Sequence, residues 1–373
     1  MQLSGIFARN MDMNSSTLEP LIQNNPIPLQ PSVESHPLRF TGSAGEYFRI
    51  WIVNMALTIV TLGIYNAWAK VRTRRYFYAH TMLNDHPFEY HGDPKAILKG
   101  NVIVAGGFIL YYLSQNFFPL IAPVLAVAFS LVLPYLIYSS LHFRAINSSY
   151  RNIHFRFHGT RGESYGAYLW WQLLVPITLG IMFPYVMFKQ KQYFFDNFAF
   201  GTSKATFSGE KGKFYKVYLT AGLIIGLLGI PFFIIMGKLI QYNINRQSDP
   251  TFMAMFVPAY ALLLLGITLI QQFIYGNIMN YCWSKTSIPG KVRFKSTLKV
   301  KDLMLLRFTN MLAVIFTAGL LTPWARVRHA KYVLDHLKVL SKGNFEDFTA
   351  DEGQKVGPLG DAATDFLDVD MGL

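Results

Sequence analysis

Between Gly100 and Leu141 the chain runs for 42 residues without an Asp, Glu, Lys or Arg. A helix needs only about 20 predominantly apolar residues to cross a bilayer, so this run has room for two. Ser114-Gln115-Asn116 and then Pro119 interrupt it. The pattern predicts a helical hairpin with spans near 100–117 and 119–141. A second hairpin follows: 217–237 is uncharged, 242–250 is a polar loop, and 251–284 is uncharged again. Only 15% of the 373 residues are charged, against about a quarter in soluble domains. These features exclude a soluble enzyme, a coiled coil and a disordered chain. The basic residues are too diluted by apolar runs for a nucleic-acid binder. The fold class expected is a mainly α, polytopic membrane protein.

The net charge of +13 hides three zones. Residues 1–37 sum to −2, residues 343–373 to −7, and the body 38–342 to +22. The first zone, rich in Asn, Pro, Ser and Gln, reads as a disordered leader without the basic and apolar regions of a signal peptide. The last reads as an acidic disordered tail.

Three further apolar segments, near 48–65, 166–188 and 304–321, resemble one another. Thr61-Leu62-Gly63-Ile64 returns as Thr178-Leu179-Gly180-Ile181 and as Thr317-Ala318-Gly319-Leu320. Residues 40–92 share twelve identities with 157–209, and 46–81 share eleven with the segment 256 positions later. A period of this kind predicts repeated units. Each is expected to hold a short aromatic strand, a Gly-rich turn ending on an acid (Glu46, Glu163, Asp302), a helix broken at glycine, and a second helix carrying aromatic and basic residues. The helical hairpins are thus joined by three repeated broken-helix modules with short β-strand flanks. The domains expected are module 1 with its membrane hairpin (38–160), module 2 with its own (161–290) and a partial module 3 (291–342).

The repeat bears on topology. Seven full crossings would put equivalent basic tails on alternating sides, against the positive-inside rule. The expectation is therefore four full spans, three segments that enter the membrane only partly, and both termini in the cytoplasm.

Residues 61–76, Thr-Leu-Gly-Ile-Tyr-Asn-Ala-Trp-Ala-Lys-Val-Arg-Thr-Arg-Arg-Tyr, with His86-Pro87-Phe88-Glu89-Tyr90-His91-Gly92, carry a resemblance. They resemble the YjgN family of bacterial inner-membrane proteins, over about 38–342. The resemblance implies location in the bacterial inner membrane and this architecture, and supplies no catalytic or ligand residues. Module 2 departs from the pattern, with Tyr185 for Trp and Met187-Phe188-Lys189-Gln190-Lys191-Gln192 for the basic run.

No nucleotide, hydrolase or zinc-protease motif occurs, and the one cysteine, Cys282, allows no disulfide framework or cysteine-based metal site. His86 with His91, and His154 with His158, read as interfacial side chains in aromatic strands. No enzyme activity, cofactor or metal is expected. Asn54 and Asn310, with Gly63, Gly180 and Gly319, are candidates for lining a path or for packing between helices. Trp68, Lys70, Arg72, Arg74, Arg75, Trp324, Arg326, Arg328 and Lys331 are candidates for contact with anionic lipid or anions. The partner expected is the bilayer, anionic phospholipid above all, with no nucleic acid; the sequence names no protein partner. Two functions follow: a transport or channel-like protein with a basic cytoplasmic mouth, or a non-catalytic membrane scaffold that interacts with lipids.

Overall fold

The computed structural model describes residues 33–245 and 250–341. Most of the leader, residues 246–249 of the polar loop, and the acidic tail lie outside the described residues. Among the described residues, which are mainly α, four helices are long and apolar enough to cross a membrane. In chain order the strands are β1 (Glu34–Pro37), β2 (Arg39–Phe40), β3 (Thr81–Leu83), β4 (His86–Tyr90), β5 (Ser148–Tyr150), β6 (Ile153–Phe157), β7 (Phe198–Phe200), β8 (Ser203–Lys204), β9 (Thr206–Phe207), β10 (Thr286–Ile288), β11 (Val292–Ser296) and β12 (Leu337–Ser341). Two helices, α1 (Ala44–Val60) and α2 (Asn66–Ala79), form the first short hairpin, and α3 (Pro94–Phe117) and α4 (Ala122–Ile146) the first long one. The second short hairpin comprises α5 (Arg161–Tyr165), a π-helical turn (Gly166–Trp170), α6 (Trp171–Ile177) and α7 (Phe183–Asn197). The second long hairpin is α8 (Lys211–Asn245) with α9 (Pro250–Ser284), and the third short one is α10 (Val300–Phe316) with α11 (Thr322–Asp335).

Several boundaries differ from expectation. Glu34–Pro37 is not leader but a strand, held antiparallel to Leu337–Ser341 with His36 Nε2 3.1 Å from Ser341 Oγ. The first span ends at Phe117, as expected; within it Ser114 and Asn116 bond to carbonyls one turn back, at Tyr111 and Tyr112, and the interruption falls just after them. The spans also start earlier, at Pro94 and Lys211. Asp93 caps the first of them, with its carboxylate accepting from Lys95 N, and Pro94 suits the first helical turn.

The strands meander through two sheets, in the orders β1-β12-β11-β10-β9 and β2-β3-β4-β5-β6-β7-β8. The chain passes from one sheet to the other at two points. Leu38, between β1 and β2, donates its N–H to Leu337 O, and Ala205, between β8 and β9, donates to Phe198 O. The two sheets are thus linked into one antiparallel ring by the two continuous segments β1-β2 and β8-β9, each of which pairs with one sheet over its first half and with the other over its second. Side chains from around the ring, among them Leu83, Tyr150, Phe200, Ile288 and Val339, fill its interior as one apolar core.

The connections alternate. Tight turns, two of them with left-handed residue pairs (Asn84-Asp85, Arg151-Asn152), join strands at one edge of the ring. At the other edge a helical hairpin joins each strand to its neighbour. Phe40 pairs with Thr81 across the first short hairpin and Tyr90 with Ser148 across the first long one; Phe157 pairs with Phe198, Phe207 with Thr286, and Ser296 with Leu337 across the rest. All five hairpins thus hang from one edge. They also pack side by side as a ring, α2 on α3, α4 on α5, α7 on α8, α9 on α10 and α11 on α1. The largest helical core lies where the second short hairpin is wedged between the two long ones, around Ile137, Phe195, Phe214 and Cys282.

The short hairpins turn in the same way. At Leu62, Leu179 and Ala318 φ is 49°, 48° and 49°, and at Gly63, Gly180 and Gly319 it is 93°, 87° and 91°. Each glycine N–H reaches back five residues, to Thr58, Val175 or Val314 O, at 2.8 Å, as in a Schellman helix ending. The preceding threonine joins the two helices. Its hydroxyl donates to the carbonyl four residues before it and accepts the N–H four residues after it, from Tyr65, Met182 and Leu321. At 1.5 Å per residue, 17-residue α1 and 14-residue α2 are about 25 Å and about 21 Å long, short of a hydrocarbon core of about 30 Å.

Because every hairpin returns to the edge it left, side-specific labelling has a definite expected outcome. In a Cys282→Ala background, an impermeant maleimide should reach Thr202→Cys and Lys211→Cys from one face of the membrane. It should reach Leu120→Cys, at the tip of the first long hairpin, from the opposite face. Labelling of Lys211→Cys and Leu120→Cys from the same face would exclude this arrangement.

Candidate functional site

At the foot of each short hairpin, beside the ring, one tyrosine phenol donates to the backbone at the start of the first helix. Tyr76 bonds Ser43 O at 2.9 Å, Tyr193 bonds Thr160 O at 3.2 Å and Tyr332 bonds Lys299 O at 2.9 Å. Burial raises the pKa of all three phenols, so each stays a neutral donor. The residue four positions on, His80, Asn197 or His336, offers its carbonyl to Thr41, His158 or Thr297 and ties the second helix to the incoming strand.

Midway along the hairpins the three diverge. In the third, Asn310 is 2% exposed and donates Nδ2–H to Ala325 O at 3.1 Å across the hairpin. Its Oδ1 accepts from Arg328 Nη1 at 3.0 Å; the same nitrogen reaches Thr309 Oγ1 at 2.7 Å, and the guanidinium lies 5.1 Å from the Trp324 ring centre. A half-buried cation on an apolar hairpin is thereby held by an amide, a hydroxyl and an indole face. In the first hairpin Asn54 makes the same cross-helix bond, to Ala69 O at 3.3 Å, but its buried Oδ1 has no partner, and Arg72, 256 positions before Arg328, is exposed. In the second, Trp171 stands at the Asn54 position and packs edge-on to Tyr185 at 5.0 Å. Lys189 lies over the rings of Tyr185 and Phe188, 5.7 and 5.8 Å from their centres, and donates to Gln192 Oε1 at 3.0 Å. Here the cross-helix amide bond runs the other way, from Gln190 to Ala167 O within the π-helical turn.

A basic residue one turn from an aromatic therefore occurs in all three hairpins. Module 2, whose altered basic run hid its member, contributes Lys189 and Tyr185; aligning residue 72 with 189 reveals the pair. The asparagines occupy helix-to-helix packing positions. The other basic residues separate. Arg74 bonds Tyr90 Oη at 2.8 Å and lies over that ring, and Arg75 reaches Tyr90 O and Gly92 O, so both brace β4. Arg326 donates to Tyr47 Oη at 3.3 Å, joining the third hairpin to the first. Trp68 stacks on Tyr65 at 6.2 Å, Lys70 is half-buried and Lys331 is exposed. The tips of the hairpins are bare and apolar: Leu62 is 94% exposed, Leu179 93% and Phe316 83%. Among the described residues no group of three or more His, Cys, Asp or Glu is placed to hold a metal ion.

Residues 35–366 match the family described as "Bacterial protein of unknown function (DUF898)". The chain is 34% identical over 149 residues to "Inner membrane protein YjgN" of Salmonella typhimurium, a match covering 39% of this chain and 36% of that protein. It is 31% identical over 156 residues to the protein of the same name from Escherichia coli strain K12, covering 40% and 37%. The matched stretch thus spans little more than a third of either relative's length. No solved structure matches the chain.

The contrast between Arg328 and Arg72 has an energetic consequence. A hydrogen bond to a charged group contributes about 1.5–3 kcal/mol, so Arg328→Ala should lower stability by about 2 kcal/mol or more in thermal unfolding. Arg72→Ala, at an exposed position, should shift it by less than about 0.5 kcal/mol. Equal losses would refute the difference in environment.

Proposed function

Starting from the fact that this chain belongs to the DUF898 family of bacterial proteins of unknown function, we propose that it is a non-catalytic, multi-pass protein of the inner membrane that engages lipids. Its three short hairpins, copies of one ancestral unit, dip into the leaflet nearest the strand ring. The observation that carries this reading is the recurrent left-handed tip that leaves Leu62 and Leu179 more than nine-tenths exposed. Large apolar side chains on a rigid turn are costly in water and favourable among acyl chains. Exposed cations on the second helices, Arg72 and Lys331, then lie toward the headgroups, where each contributes about 1 kcal/mol of attraction to acidic lipid. The ring and both chain ends are cytoplasmic in this reading, because the basic feet of all five hairpins share one side. The filled core of the ring counts against a channel through it, and the packing role of Asn54 and Asn310 counts against a path lined by them.

Lipid retention tests this. Protein extracted from mixed membranes should keep acidic over zwitterionic lipid, and Arg72→Gln with Lys331→Gln should lower that ratio several-fold without loss of fold. An unchanged ratio would refute the reading. Solute flux in proteoliposomes that falls with Asn54→Leu and Asn310→Leu would replace it with transport.

A further inference from the structure

The three short hairpins do not cover the same face. In the first and third this face is occupied, because Tyr47, Ile50 and Phe77 press against Val327, Ala330 and Leu334. In the second, Gly166 and Ala167 stand at the positions of Arg49 and Ile50; Ala167 is buried in the helical core beside Ile137 and Leu141, and along its neighbours a groove of about 760 Å³ remains. A Cβ added at Gly166 would meet nothing within 4 Å. The groove runs from Trp171 and Lys189, midway along the hairpin, to Lys204 and the strand switch at Ala205.

Its walls carry both signs of charge beside an aromatic surface. The cations are Lys189 and Lys204, and the carboxylates are Glu163 and Asp196. Both carboxylates are anchored through one oxygen: Glu163 Oε2 accepts from Thr160 N and Asn197 Nδ2, and Asp196 Oδ1 accepts from Phe207 N. Among the described contacts, Glu163 Oε1 and Asp196 Oδ2 take no donor. Fixed carboxylates with a remaining lone-pair edge suit an ammonium group, and the lysine at the ring end, Lys204, suits a phosphate. The π-helical turn lines the same groove, and such turns concentrate at functional sites.

We propose that this groove is a binding site for one phospholipid bearing both a phosphate and a primary ammonium. The phosphate meets Lys204 at the ring end of the groove, the ammonium meets the open carboxylate oxygens, and an acyl chain lies along Gly166 and Trp171. This rests on the reading that the protein engages lipids, but it concerns a single site rather than the surface cations.

Native mass spectrometry of the delipidated full-length protein, titrated with dioleoyl phosphatidylethanolamine, phosphatidylcholine or phosphatidylglycerol, tests it. The expected result is a one-to-one adduct with the ethanolamine lipid, at least fivefold more abundant than with either of the others. Lys204→Ala, at an exposed position, and Gly166→Leu, which fills the groove, should each reduce it at least fivefold. Arg72→Gln with Lys331→Gln should leave it unchanged. Equal adducts for all three lipids, or adducts indifferent to both groove variants, would overturn the site. Equal competition by water-soluble phosphoethanolamine would overturn the lipid as its ligand. Survival of this adduct in a protein that shows no preference for acidic lipid would uphold the site while removing the surface reading.

Discussion

The antiparallel pairing of the strand ring is the constraint on which everything else rests. In such a meander successive connections must fall on alternate edges. Tight turns occupy one edge, so every helical hairpin, long or short, is confined to the other. Any hairpin that crosses a bilayer from this edge must then cross it an even number of times, whatever its length. The same closure supports very short strands. Two-residue strands such as β2, β8 and β9, each paired on one side only, would be marginal alone, and each continues along the chain into a strand of the other sheet, β1, β9 or β8.

Much of this was legible in the sequence, and the reasons for what was not are physical. The long hairpins announce themselves because burial in lipid excludes charge over a whole span. Thr61, Gly63 and their counterparts are visible because a left-handed turn that must also link two helices accepts few residue types. Asn54 and Asn310 stand out as amides in apolar helices. The ring, by contrast, is hidden. Its strands are too short to show alternation, and β1 lies inside a polar, proline-containing stretch that reads as leader. Nor does composition reveal that Arg74 and Arg75 brace a strand while Arg72 faces outward, since one helical turn carries all three. The groove was equally invisible, because it is made by the smallness of Gly166 and Ala167 where Arg49 and Ile50 stand in the first hairpin.

The three short hairpins therefore share a frame and differ in what they hold. Tyrosine at the foot and threonine-glycine at the tip set the frame. Between them the first hairpin carries an amide with an unused oxygen, the third fills that oxygen with an arginine, and the second replaces the amide by tryptophan. Divergence confined to the middle of a helical hairpin leaves the ends, and so the fit to the ring, unaltered.

The pairing of β1 with β12 joins residues 305 positions apart in the chain, as His36 and Ser341 illustrate. Synthesis proceeds at about 5–20 residues per second, so about 15 to 60 s separate the emergence of the two partners. Throughout that interval β1 lacks the strand it pairs with. The ring is thus a clasp that only the last of the described strands can shut.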